Sequence, residues 1–180
     1  MSRWPKFMAW KHARVKANCK TVFYFDASSR PCENSSWLDD ILELVPKVLS
    51  SEVGLALPTH PFSKRISGEF KAILGCRKDL QMNVKASLAW MKEQEDFKDE
   101  VQIYQCTFFM YDPSSSKYRD ATEFFWNRYS KELDSWRDQP LMAYTLHHFN
   151  MKPLYMNRSK YLSCFGKMGH GSHTYTVKDN

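Results

Sequence analysis

Thr21-Val-Phe-Tyr-Phe-Asp26 is the stretch on which the fold turns. Five successive β-branched or aromatic residues leave no polar face, the pattern of a strand covered on both sides. The run stops at an aspartate, and Ala27-Ser-Ser-Arg-Pro31 behind it has the composition of a loop. In open α/β sheets functional groups collect at the carboxyl ends of strands, so Asp26 is the first candidate site residue. A second run, Gly54-Leu-Ala-Leu57, is closed by Pro58 and opens into Thr59-His-Pro-Phe-Ser-Lys-Arg65. Between the two lies the helical pattern Trp37–Leu44, with Ser35 or Ser36 as its cap and Pro46 as its limit. The expectation is an α/β fold with 21–25 and 54–57 as neighbouring central strands, flanked by helices.

Outward from this pair, Ser67–Leu74 and Leu80–Lys98 read as helices, the second with Val84, Leu88 and Met91 on one face. Gln102–Tyr111 is aromatic and β-branched, with Asp112-Pro-Ser-Ser-Ser116 as its turn. Thr122–Leu133 reads as a helix bearing Phe125, Trp126 and Tyr129. In the segment from Ser130 to Phe149, Trp136-Arg-Asp-Gln139 precedes Pro140, which a helix tolerates in its first turn. Asp138 therefore falls near the positive end of a helix dipole. Pro153–Asn157 reads as a short strand. Residues 1–20, basic and aromatic with Trp4, Phe7 and Trp10, read as a helix or an irregular lead-in. The division is a domain over 1–160 and a tail over 161–180 that carries Gly and His.

The composition narrows the function classes. With 180 residues, 43% hydrophobic and 15% aromatic, the chain can bury a core, which excludes disorder for its bulk. The charge of +6 suggests an acidic partner, and only Lys6 to Lys20 is densely basic. Nucleotide phosphate, nucleic acid and a solvated face are all open from composition. The scattered charge and the ordered acids then argue against a nucleic-acid binder, and no nucleic acid is expected. Five cysteines at irregular spacing contain no CxxC pair, and zinc or redox motifs lose support. No stretch reads as a signal peptide or a membrane span. Asn34-Ser-Ser36 and Asn157-Arg-Ser159 fit the glycosylation tripeptide. Glycine-rich dinucleotide, P-loop, nucleophile-elbow and zincin motifs are absent, which disfavours those enzyme classes.

Each candidate residue carries two readings. Asp26 is suited to a hard divalent cation bound with substrate phosphates, or to a turn cap holding Ser28 or Ser29. Asp138 is suited to general-base work on a hydroxyl, or to an N-terminal capping box. His60, Lys64 and Arg65 offer cationic or switchable groups for phosphate, or are solvated loop residues. His147 and His148, adjacent on a helix, point apart, whereas His170 and His173 lie in a glycine-rich segment that can bring them to an ion. The aromatic stripe from Phe124 to Tyr129 is core, or offers one ring to a sugar.

Taken in order, Lys11-His12, Val22-Phe-Tyr-Phe-Asp26, His60-Pro-Phe-Ser-Lys-Arg65 with Glu69, Trp126 and Trp136-Arg-Asp-Gln139 resemble one family. It is the hexosyltransferase-like family of plants, algae and bacteria related to mucilage and turgor-regulation proteins. The likeness covers roughly residues 6–150, and Arg137-Asp138-Gln139 is its most specific element. It implies a partial GT-A-like, Rossmann-type sheet that binds a sugar nucleotide with a divalent metal, manganese or magnesium. The implied activity is transfer of a hexose to a glycan or protein hydroxyl, in the chemistry of cell-wall polysaccharides. By the same likeness Asp138 is the catalytic residue, and Asp26, His60, Lys64, Arg65, Glu69, Trp136, Arg137 and Gln139 bind substrate. Asp26 is an implied metal ligand, and His170 and His173, outside the likeness, are added to it from their glycine-rich segment. Ser28 stands where a second acid would complete an Asp-x-Asp pair. Only a short basic segment precedes Asp26, where a complete GT-A domain has earlier strands, so a truncated N-terminus is expected. The alternative is a catalytically inactive relative that binds glycan or a partner. The expected location is the Golgi lumen if the chain belongs to a longer anchored protein, and the cytoplasm otherwise.

Overall fold

The computed structural model describes residues 4–26, 29–31, 37–129, 131, 134–157, 160 and 165–167. It is mixed α/β, with a small sheet of mixed strand direction flanked by helices. The strand at its heart is β4, Phe108–Tyr111, which is buried along its whole length. On one side β4 pairs antiparallel with β1, Val22–Phe25, and on the other with β3, Leu55–Leu57. Strand β5, Leu154–Tyr155, adds to β3 in parallel, giving the order β1-β4-β3-β5.

The two runs read as strands therefore share a sheet and a direction, but they are not neighbours. β4 lies between them, and β1 is an edge strand, half-buried, with Phe25 36% exposed. An apolar run records that side chains avoid water; it does not record which strand of a sheet has two partners. The centre went to Phe108-Phe-Met-Tyr111 because both of its faces find a core. Phe109 and Tyr111 enter the larger core with Phe7, Tyr118, Phe125 and Tyr144. Phe108 and Met110 point the other way, to Ile41, Leu44, Val48 and Met156. That alternation is the period of two imposed by the pleat.

The helices follow their sequence signals with shifted ends. Helix α1 is Trp4–Met8, continued by a 3₁₀ turn at Ala9–Lys11 and by α2, Ala13–Asn18. Helix α3, Trp37–Leu42, is followed by α4, Val45–Leu49, so Pro46 opens a second helix instead of only limiting the first. Helices α5, Ile66–Gly75, and α6, Gln81–Lys92, bury Phe70, Ile73, Val84 and Met91. Helix α7, Ser116–Tyr129, starts six residues before the expected span. Its approach is the predicted turn, where Asp112 Oδ1 accepts from Ser114 N at 2.7 Å. Helix α8, Asp138–His148, has Pro140 in its first turn and is buried on all sides from Pro140 to Leu146. Ser29–Pro31, read as loop, is strand β2, paired antiparallel with β6, Phe165–Lys167, so part of the expected tail is joined to the body. Among the described residues no helix is long and apolar enough to cross a membrane.

Gly54 fixes the entry to β3. Its φ is +61°, and a Cβ there would stand 2.6 Å from the Cβ of Ser115. Ser115 cannot retreat freely, because its Oγ donates to Val53 O at 3.1 Å. Gly54→Ala is expected to destabilise the fold by about 2–4 kcal/mol, from left-handed strain and overlap together. Urea denaturation that placed the loss below about 1 kcal/mol would show that the turn relaxes.

Candidate functional site

Strands β1, β3 and β5 run the same way, so their carboxyl ends share one edge of the sheet. The chain entering β4 lies along that edge. Thr107 O accepts from Asp26 N at 2.8 Å, and Ile103 O accepts from His60 N at 2.8 Å. Gln105 N donates to Pro58 O at 2.8 Å, and Thr59 bridges to Tyr104. One continuous segment thus connects the Asp26 corner to the His60 corner.

At the first corner two carboxylates meet on one ammonium. Lys6 Nζ lies 2.8 Å from Asp138 Oδ2 and 3.2 Å from Asp26 Oδ1, with the Lys6 side chain only 4% exposed. The rings of Tyr24 and Phe7 lie 5.0 and 5.4 Å from the ammonium, and Tyr24 OH donates to Asp26 Oδ1 at 2.7 Å. Burial alone draws the Lys6 pKa down. The carboxylate of Asp138, the Cys106 sulfur and the carboxylate of Asp26 outweigh it, so the net direction is upward. Lys6 is therefore an ammonium at neutral pH. Helix α1 delivers it because Phe7 and Met8, both 1% exposed, anchor that short helix in the large core.

Asp138 opens α8, but it is not the cap. The N-cap residue is Arg137, which makes no side-chain capping bond, and the Asp138 carboxylate turns to Lys6. Asp138 stands at the first helical position instead of the cap, and its Oδ2 serves the charge-assisted pair with Lys6. Asp26 likewise directs its carboxylate to Lys6 and Tyr24.

The second corner holds His60 and Glu69. His60 Nδ1 accepts from Ser63 N at 3.0 Å and Phe62 N at 3.4 Å, which leaves the ring proton on Nε2. Nε2 faces Glu69 Oε2 at 3.9 Å, and Glu69 is buried in the first turn of α5. Lys64 and Arg65 are exposed, and Arg65 pairs with Glu100. Lys64, Arg65, Glu100 and Gln102 line a cleft of about 470 Å³. Gln102 and Glu100 are shared with a second cleft of about 310 Å³, where Lys98, Tyr104, His147 and Lys152 converge. Burial raises the Tyr104 hydroxyl pKa, so that ring is neutral.

The rest of the candidate set is dispersed. Trp136 is exposed, while Arg137 and Gln139 are half-buried. His147 and His148 both turn to Asp96: His147 Nε2 lies 2.9 Å from its carbonyl oxygen and His148 Nδ1 lies 2.8 Å from its Oδ2. They cap the end of α8 at one residue instead of sharing an ion. His170 and His173, the tripeptide at 34–36, and Arg158 and Ser159 of the second tripeptide lie outside the described residues. Among the described residues no group of three or more His, Cys, Asp or Glu side chains converges. The cation between Asp26 and Asp138 is an ammonium, so the described donors alone do not make a metal site. Sequence reasoning missed Lys6, Asp79 and Asp96. The only signal for Lys6 was a lysine set between Trp4, Phe7 and Trp10.

No known protein family, curated protein or solved structure matches the chain.

Proposed function

We propose that the chain is a glycosyltransferase-like domain of GT-A type that takes a sugar nucleotide along the carboxyl edge of its sheet. In this reading it transfers a hexose to a glycan or protein hydroxyl. The observation that carries it is the convergence of Asp26 and Asp138, from distant parts of the chain, at a strand-end corner. The segment 101–107 links that corner to the Lys64–Arg65 cleft. Lys64 and Arg65 suit the diphosphate, with His60 behind them, and Asp138 suits the acceptor side. Where a divalent ion binds, it would neutralise the diphosphate, with Asp26, His170 and His173 as its proposed ligands.

A second reading is favoured by Lys6. A carboxylate ion-paired at 2.8 Å and 5% exposed is already engaged within the fold, which suits a catalytically inactive relative that binds glycan or a partner. Thermal unfolding with a panel of uridine and guanosine diphosphate hexoses, with and without Mn²⁺, tests the shared claim. A ligand at a hundredfold excess over its dissociation constant adds about 2.7 kcal/mol, a rise of roughly 5–10 °C in Tm. No shift with any member of the panel overturns sugar-nucleotide binding. Asp138→Asn then separates the two readings. Hexose transfer by the wild-type chain, reduced more than about tenfold in Asp138→Asn while binding persists, supports catalysis. Binding without transfer in either protein supports the module.

A further inference from the structure

We infer that Trp136 is a fixed stacking platform for a pyranose of a glycan chain, an inference that rests on the glycan-directed function proposed above. Trp136 is 54% exposed, yet its backbone is held on both sides. Its N–H donates to Asp79 Oδ2 at 2.7 Å, and its carbonyl accepts from Tyr129 OH at 2.6 Å. The neighbours are tied as firmly. Ser135 Oγ donates to the same Asp79 oxygen at 2.7 Å, and Ser135 N donates to Ser87 Oγ at 2.8 Å. Arg137 N donates to Ser135 Oγ at 3.2 Å, and Asp134 receives Arg128 at 2.6 Å. Asp79 is itself immobilised, since its Oδ1 accepts from Leu80 N at 2.8 Å.

An indole in water gains nothing for the fold, and ordering the loop beneath it costs conformational entropy. A ring presented on a fixed loop has already met much of the ordering cost of binding, as in pre-organised binding sites. The surroundings choose the ligand. A protein partner requires a contiguous apolar patch of several hundred Å². Trp136 is instead flanked in the chain by a buried serine and a half-buried arginine, with a half-buried aspartate beneath. An exposed indole with polar chain neighbours matches a pyranose, whose C–H face covers an aromatic ring while its edge hydroxyls reach polar groups such as Arg137. Trp136 is two residues from Asp138 in the chain.

The test is calorimetric titration of the full chain with neutral hexaoses of the β-glucan, β-mannan and β-xylan types. At least one should bind at millimolar concentration or tighter. Trp136→Ala should lower that affinity at least about tenfold, the order seen when an aromatic stacking partner is removed, and Trp136→Phe much less. Leu42→Ser, a change at an equally exposed apolar residue on α3, should leave affinity unchanged. Asp79→Ala keeps the indole but frees its loop and should weaken binding several-fold, whereas Asp79→Asn, which retains an acceptor oxygen, should restore it. Failure of all three hexaoses to bind, or wild-type affinity in Trp136→Ala, overturns the inference. The two proposals fail separately. Loss of hexaose affinity in Trp136→Ala with no sugar-nucleotide stabilisation leaves the platform standing and removes the transferase. Sugar-nucleotide stabilisation with hexaose affinity indifferent to Trp136 does the reverse.

Discussion

Lys6→Met is expected to cost about 3–5 kcal/mol of folding stability at pH 7, because it leaves two carboxylates facing each other without their cation. Methionine fills nearly the same volume, so the loss reports charge and not a cavity. Asp138 is 5% exposed, whereas the Asp26 side chain, 32% exposed, recovers part of its hydration. The lower half of the range follows if Asp26 turns outward. Adding Asp26→Asn and Asp138→Asn to Lys6→Met should recover much of the loss, since the repulsion disappears with the charges. The pH dependence has a definite sign. The Lys6 pKa is raised in the folded state, so its contribution is complete below the unfolded lysine value of about 10.4. It is lost as pH rises through the folded value. Wild-type stability should therefore decline in the alkaline range, and Lys6→Met should lack that component. Denaturant titrations at pH 7 and above pH 10 check both parts; a cost below about 1 kcal/mol would mean that the acids find another partner.

Phe7→Ala should cost about 3–5 kcal/mol by opening a cavity in the larger core. Phe7 is 1% exposed, and its ring centroid lies 4.6 Å from Phe125 and 5.5 Å from Phe109. Its carbonyl also accepts from the buried Tyr118 hydroxyl at 3.2 Å. A five-residue helix such as α1 has no stability of its own, so its position depends on this packing. Loss of Phe7 should therefore also loosen the hold of Lys6 on Asp26 and Asp138. Hydrogen exchange across residues 4–11 should accelerate beyond what global destabilisation explains. A loss under about 1.5 kcal/mol would mean that Phe125 and Phe109 collapse into the space.

Several features were legible in the sequence because they depend on local chemistry. The turn at Asp112, the helix break around Pro46 and the start of α8 at the Pro140 turn each follow from one residue's backbone demands. The two buried-type runs were strands of one sheet, and Asp26 and His60 do lie at its carboxyl edge. Asp26 and Asp138 were each legible as candidates, but that both would meet on one ammonium was not.

Other features belong to the tertiary structure alone. Whether Thr21–Phe25 or Phe108–Tyr111 takes the middle of the sheet depends on what covers each face, and the covering side chains come from α1, α5, α7 and α8 on one side and α3 and α4 on the other. The Asp138 carboxylate pairs with Lys6, and the two histidines of α8 turn to Asp96, because the closed fold brings partners from distant segments within reach. Trp136 shows the same division. Its side chain is plain in the sequence, but its fixed exposure comes from Asp79, Ser87 and Tyr129. Local sequence sets what each segment prefers within a few residues. Burial of charge and the meeting of distant side chains are properties of the closed core, and they decide which of those preferences is spent on the site.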